Sequence, residues 1–147
     1  MKLEEFTFSK ALRKDTSFVD FVNKVTTIIN QGLASVVIKV SLTGQAAAIG
    51  VTTIYTPAIA GEFRVSVYII CTNAGTGDLS FELGWADEVG AKTLAPVANV
   101  DLSSTANGST GSAFLHAVAG AITFETAIAG LAGSPTYELV IVLEQLA

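Results

Sequence analysis

The side chains able to carry out acid–base or nucleophilic chemistry are few, because the chain contains one histidine and one cysteine. Acid–base catalysis needs a titrating group held at its target. The two-residue alternation around His116 puts it on a strand face with Phe114 and Val118. We therefore expect a hydrogen-bonded or interfacial strand histidine rather than a catalytic base. One histidine and one cysteine cannot form a structural zinc site, and the sequence predicts neither an enzyme nor a cofactor.

The cysteine belongs to a segment in which every second residue is apolar. One face carries Phe63, Val65, Val67, Ile69 and Cys71, and the other carries Glu62, Arg64, Ser66 and Tyr68. A period of two is typical of a half-buried strand. A single cysteine excludes an internal disulfide, and no cation or helix start that would activate the thiol stands near it. We predict that Cys71 is buried and unreactive.

Acidic residues and glycines offer two further candidates. Asp87 and Glu88, together with Asp78, supply carboxylate oxygens of the kind that bind calcium. Their spacing matches no calcium-binding loop, so we predict a solvated turn and no metal. The pair Gly75 and Gly77 lacks the third glycine of a dinucleotide-binding loop and lies between two predicted strands, which indicates a hairpin turn.

Trp85 and residues 103–112 are the candidates for ligand binding. Trp85 is either a buried side chain of the hydrophobic core or presents its indole to a sugar or a protein. Residues 103–112 are all small or polar, and such loops at the rim of a scaffold often bind ligands. A plain connection without function is the alternative. The binding hypothesis therefore rests on Trp85, Asp87 and Asn107.

The elements that must position these residues are strands. After Gly32 the pattern is β throughout, and turn residues separate eight candidate strands, 33–42, 46–55, 61–72, 78–85, 92–101, 112–118, 120–128 and 136–146. Short strands about a dozen residues apart predict a mainly β fold, an antiparallel two-sheet jelly-roll sandwich over residues 33–147. The last strand is apolar on both faces in its middle, which predicts a central strand or a subunit interface.

Residues 1–32 form a separate N-terminal domain in this prediction, a short extended arm followed by one amphipathic helix. Apolar residues at spacings of three and four predict the helix over 17–30. Its apolar stripe consists of Phe18, Phe21, Val22, Val25, Ile28 and Ile29. A helix this short needs a surface to pack on, either its own domain or a neighbouring subunit or larger assembly. We assign the stripe to assembly and anchoring.

Charge is sparse and uneven along the chain. Charged residues make up 14% of it, against roughly 25% in an average soluble domain. Residues 1–40 carry six basic and four acidic groups, for +2, whereas residues 41–147 carry two basic and nine acidic groups, for −7. Wide uncharged surface in the β domain predicts self-association. Nucleic acid is excluded as a partner, because its phosphates need clustered lysine and arginine.

The sequence also predicts no membrane partner. Acidic residues follow the N-terminus where a signal peptide would have its apolar core, and no apolar run reaches the ~18 residues that span a bilayer. We expect synthesis in a cytoplasm.

Residues 56–68 and 79–85 carry a resemblance to known families. The turn containing Pro57 and Gly61, leading into the strand with Phe63, resembles a segment of complement-type and tumour-necrosis-factor-like globular heads. The chain also resembles small β-rich virion proteins of tailed bacteriophages, in which an arm or helix precedes a compact sandwich. This resemblance implies a jelly roll that assembles as a trimer and decorates a capsid or forms part of a tail. The end of the chain lacks the closing aromatic and glycine pattern of the complement-type heads.

The resulting hypothesis is a non-enzymatic virion structural protein. Its β domain forms a homo-oligomer, a trimer, and residues 1–32 attach it to other virion proteins such as a major capsid or tail protein. The alternative is a glycan- or protein-binding β-sandwich module that uses Trp85 and the 103–112 loop.

Overall fold

The computed structural model describes residues 35–146, which form nine strands and, within that range, no helix. The strands are β1 (Ser35–Gln45), β2 (Thr52–Tyr55), β3 (Gly61–Asn73), β4 (Thr76–Asp87), β5 (Gly90–Leu94), β6 (Val100–Asp101), β7 (Gly108–Ala117), β8 (Ile122–Ala132) and β9 (Thr136–Leu146). The mainly β prediction is confirmed for this range. The predicted arm and helix of residues 1–32, with the apolar stripe from Phe18 to Ile29, lie outside the described residues.

The strands form two antiparallel sheets. One has four strands in the order β1-β9-β3-β7, and the other has five, in the order β2-β8-β4-β5 with β6 paired to β4. Pairing is nested along the chain: β1 pairs with β9, β2 with β8, β3 with β7, and β4 with β5. The chain therefore resembles one long hairpin, with β1–β4 as one arm and β5–β9 as the other, and the paired arms alternate between the two sheets. Most contacts consequently join residues far apart in sequence.

The core lies between the sheets and follows the period-two alternation. On β3 the side chains from Phe63 to Cys71 on the predicted apolar face are all buried, and Cys71 is 1% exposed. On β9 the buried residues are Tyr137, Leu139, Ile141 and Leu143. β9 lies between β1 and β3, which confirms the prediction of a central strand. Burial of each such side chain contributes about 1.5–3 kcal/mol to folding.

A polar link crosses the core near the β1–β2 connection. The Tyr137 hydroxyl donates to the carbonyl oxygen of Ala47 at 3.0 Å, and the Thr126 hydroxyl lies 3.0 Å from the Tyr137 oxygen. Thr126 Oγ1 also accepts from the backbone N–H of Ile49 at 2.8 Å. Because the Tyr137 proton goes to Ala47, the Thr126 hydroxyl is the donor in its bond with Tyr137. The predicted strand over 46–55 is therefore too long, because the Ala47 carbonyl and the Ile49 N–H bond to these side chains instead of to a ladder.

Three other predicted boundaries need correction. The strand predicted over 92–101 is split into β5 and β6, because the segment between them contains Pro96, which has no N–H for a ladder. A Cβ on Gly111 would collide with the Pro96 carbonyl oxygen, so the glycine lets this segment pass close to β7. The turn at Gly75–Gly77 is not a hairpin, since β3 and β4 belong to different sheets. β7 begins at Gly108, which shortens the loop predicted over 103–112.

Candidate functional site

The outward side of the four-stranded sheet is the most unusual surface among the described residues. Residues directly opposite one another share a face, and the register places Val140, Tyr68 and Thr110 in one row and Val142, Ser66 and Ser112 in the next. We call this surface the neutral face, and it comprises Val36, Lys39, Ser41, Glu62, Arg64, Ser66, Tyr68, Ile70, Thr110, Ser112, Phe114, His116, Glu138, Val140, Val142, Glu144 and Leu146. Apolar or small side chains occupy its centre.

Two aromatic side chains of the neutral face stand in solvent. Phe114 on the edge strand β7 is 69% exposed, and Tyr68 on β3 is 45% exposed. Val140 and Val142 on β9 are half-buried between them and the β1 edge. The remaining exposed large apolar residues of the described chain lie singly in turns, connections and strand ends, as Ile59 and Val89 do. Only the neutral face groups such residues on one flat sheet surface, which is typical of an interaction site.

Charges on the neutral face largely compensate one another. The Nε of Arg64 donates to Glu144 Oε2 at 2.5 Å across the β3–β9 ladder. This hydrogen bond, with the attraction between the two charges, raises the pKa of Arg64 and lowers the pKa of Glu144. Lys39 and Glu138 add one charge of each sign. Glu62 is also on this face, so its formal charge is −1 when His116 is neutral and zero when His116 is protonated, which is small beside the −6 of residues 35–146.

A histidine–carboxylate cluster lies at the end of the neutral face. His116 Nδ1 is 2.6 Å from Glu62 Oε1, and its Nε2 is 2.6 Å from Glu88 Oε1. Both ring nitrogens donate to carboxylates only when the ring is protonated. The bonds to Glu62 and then to Glu88 raise the pKa of His116. The pKa of Glu88 is lowered first by a hydrogen bond from the Glu88 backbone N–H and then by the hydrogen bond with His116. The hydrogen-bonded strand histidine predicted from the sequence is confirmed.

This cluster joins the two sheets. Glu62 and His116 are opposite each other on β3 and β7, whereas Glu88 belongs to the β4–β5 turn of the other sheet. The backbone N–H of Val118 donates to the Ala86 carbonyl oxygen nearby, at 2.9 Å. With a carboxylate from each sheet bonded to the ring, the arrangement is suited to holding the sheets together.

The outward side of the five-stranded sheet differs from the neutral face in the size and the charge of its side chains. Glu82 on β4 lies directly opposite Glu125 on β8, with Ser80 opposite Ala127 on one side and Gly84 opposite Thr123 on the other. We call this surface, Asp78, Ser80, Glu82, Gly84, Thr123, Glu125, Ala127 and Ala129, the acidic face. Two open depressions lie beside these glutamates. One is lined by Ser80 and Ala127, and the other by Gly84, Thr93 and Thr123 together with the apolar Val51, Leu83 and Phe124. Among residues 35–146, no group of three or more His, Cys, Asp or Glu side chains is arranged to hold a metal ion.

The three residues of the binding hypothesis lie near opposite ends of β4, with Trp85 and Asp87 at one end and Asn107 beside the other. Trp85 is half-buried against the core near the end of the strand, and Asp87 accepts from the N–H groups of Val89 and Gly90 in the β4–β5 turn. Asn107 instead donates to the Asp101 carbonyl oxygen at 2.8 Å.

The separation between these residues follows from the strand register. Asp101 is opposite Asp78, and the distance along β4 from Asp78 to Trp85 is about 23 Å at 3.3 Å per residue. The structure therefore brings Trp85 and Asp87 to one end of the sandwich and Asn107 to the other. Sequence reasoning missed the neutral face, although the alternation around Phe114 and Tyr68 was its signal.

Comparison with known proteins gives structural likenesses. No family model matches the chain, and no curated protein matches its sequence. The chain is similar to one from the acid-stable capsid of a Helicobacter pylori bacteriophage, at 15% identity and a TM-score of 0.45, covering 78% of this chain and 92% of that one. It is also similar to a chain from Bacillus endospore appendages, described as disulfide-linked pili, at 20% identity and a TM-score of 0.34, covering 80% and 94%. Among the described residues, no helix is long and apolar enough to cross a membrane.

Proposed function

We propose that this chain is a non-enzymatic structural protein of a bacteriophage virion that self-associates, as a trimer, through its β domain. The observation that carries the proposal is the neutral face, a partly apolar sheet surface with little net charge. A subunit of a shell or appendage needs such a surface, because assembly must bury it repeatedly. Synthesis takes place in the host cytoplasm, and the finished protein resides in the virion.

The strand pairing supports this proposal through the fold that it implies. We infer that residues 35–146 form a jelly roll, since the sheet orders β1-β9-β3-β7 and β2-β8-β4-β5 arise when one long hairpin is wrapped into two sheets. Viral capsid and lectin domains use this architecture. Fold alone does not assign function, so the proposal depends on the surface that this chain presents.

Attachment to other virion proteins is assigned to residues 1–32. In sequence this segment combines most of the basic residues with the apolar stripe that includes Val25. The β domain, by contrast, is acidic. The proposed role of the stripe is to anchor the protein to a major capsid or tail protein, which leaves the β domain to contact its own copies.

Quantitative mass spectrometry of purified virions that encode this chain tests the proposal. We expect the chain at many copies per particle, in a fixed ratio to the major capsid or tail protein. Particles carrying Val25→Asp should contain less of it than particles carrying Asn23→Asp, which adds the same charge off the stripe. Purified virions that lack the chain would contradict the virion role, and equal incorporation of the two variants would contradict the anchoring role.

A further inference from the structure

We propose that the neutral face is the surface on which a second copy of this chain binds. The inference rests on the proposed self-association and deepens it by naming the surface and its occupant. Phe114 and Tyr68 are the exposed aromatic residues of this face, and aromatic residues are enriched at the centres of protein interfaces. The half-buried Val140 and Val142 continue the apolar surface toward β1.

The size of the neutral face matches one side of a stable interface. Its longest strands have 11 to 13 residues and the sheet has four strands. A surface of this kind is about 36 Å long and about 19 Å wide, or about 700 Å² in projection. Specific complexes of standard size bury about 800 Å² on each partner. The neutral face is therefore large enough for a standard interface with neighbouring copies.

The charge distribution favours a second copy as the occupant. Residues 35–146 contain nine acidic and three basic residues, a difference of −6, so two copies repel each other in most orientations. Two of the three cations, Lys39 and Arg64, lie on the neutral face, where Glu138 and Glu144 balance them. Contact through this face avoids the repulsion. A strongly basic partner would instead be drawn to the acidic face, where Glu82 and Glu125 stand without a cation opposite them.

Two serines at equivalent positions allow a matched test. Ser66 is central on the neutral face and Ser80 is central on the acidic face, each on an inner strand of its sheet. Full-length chains carrying Ser66→Glu or Ser80→Glu acquire the same charge. Molar mass is measured by light scattering over a concentration series at fixed salt. We expect Ser66→Glu to weaken self-association about tenfold or more relative to wild type, because a charge would be buried in the contact, and Ser80→Glu to change it little.

A second variant keeps the test independent of folding defects. Phe114→Ser removes a side chain that is 69% exposed on an edge strand, so the domain should retain its thermal unfolding midpoint while self-association weakens. Equal association of wild type, Ser66→Glu and Phe114→Ser would overturn the inference and assign the neutral face to a different virion protein. A wild-type chain that remains a single copy at every concentration would overturn both the inference and the proposed self-association, but not the presence of the chain in virions.

Discussion

The two outward faces of the sandwich are built by the same alternation, yet they carry opposite surface chemistry. On the neutral face, aromatic and branched side chains such as Tyr68 and Val142 stand beside a compensated ion pair. On the acidic face, small residues surround Glu82 and Glu125, which oppose each other directly. The inner faces of both sheets are apolar, because both build the core. The difference therefore reflects what each face meets outside the domain, since folding requires the same of both sheets.

The largest effect is expected from the link that holds the two sheets together. Thr126 is the buried polar residue of the described core, and it bonds to Ile49 N–H and to the Tyr137 hydroxyl. Thr126→Val keeps the shape but leaves both groups without this partner, so the free energy of unfolding should fall by about 1–3 kcal/mol. Denaturant unfolding measures it. Thr110→Val, an exposed threonine on the neutral face, is the control and should cost less than about 0.5 kcal/mol.

An intermediate effect is expected from removing charge balance on the neutral face. Arg64→Gln leaves Glu144 without its ion-pair partner and makes the face acidic. Self-association should weaken roughly two- to fivefold, and less at high salt because the repulsion is screened. Lys92→Gln is the matched control, since Lys92 pairs with Asp87 on the other sheet. Equal weakening by both variants would mean that total charge, rather than the neutral face, governs association.

A smaller effect concerns the histidine cluster that joins the sheets. The folded-state pKa of His116 is raised above the usual 6.5, so its contribution to stability is fully present below about pH 6.5 and is lost as pH rises through the folded pKa. The lowered pKa of Glu88 adds stability above about pH 4.5 that is lost as pH falls. Thermal unfolding midpoints across pH should therefore decline on the alkaline side. His116→Gln should flatten that decline, and an unchanged profile would contradict the cluster's role.

The smallest effect is expected on the acidic face. Like charges directly opposite each other in a ladder are destabilising, and Glu82 faces Glu125 in this way. Glu82→Gln should raise the free energy of unfolding by about 0.3 kcal/mol at low salt. Glu138→Gln, which removes a charge from the neutral face, should give no such gain. A stability loss in Glu82→Gln would contradict repulsion between the two glutamates.

The alternation pattern was sufficient to predict the buried and exposed sides of the long strands. Phe63 to Cys71 on β3 and the apolar residues of β9 lie inside as expected, because a period of two leaves few alternatives once one face must be buried. The pattern failed where tertiary bonds replaced a ladder. Residues 46–51 look like a strand in sequence, but Thr126, far along the chain, takes the backbone bonds of Ile49.

The alternation marks Phe114 and Tyr68 as outward-facing, but their assembly into one surface could not be predicted, because it depends on strand order and register. Neither the Arg64–Glu144 pair nor the opposition of Glu82 and Glu125 can be recognised without knowing which residues are neighbours across a ladder. The contact of His116 with Glu88 joins two sheets and is even less visible in sequence. The wide separation of Trp85 and Asn107 also depends on strand pairing. Trp85 is near one end of β4, whereas Asn107 bonds to Asp101, which pairs with Asp78 near the other end.

Hydroxyl-radical footprinting of the wild-type, full-length chain tests the central claim most directly, because it shows which side chains become covered when copies associate. Labelling is compared by mass spectrometry at concentrations below and above the association range. We predict that Tyr68 and Phe114 lose labelling on association, whereas Ile59 and Val89, exposed in a connection and a turn, are labelled equally at both concentrations. Association with unchanged labelling of Tyr68 and Phe114 would contradict the account.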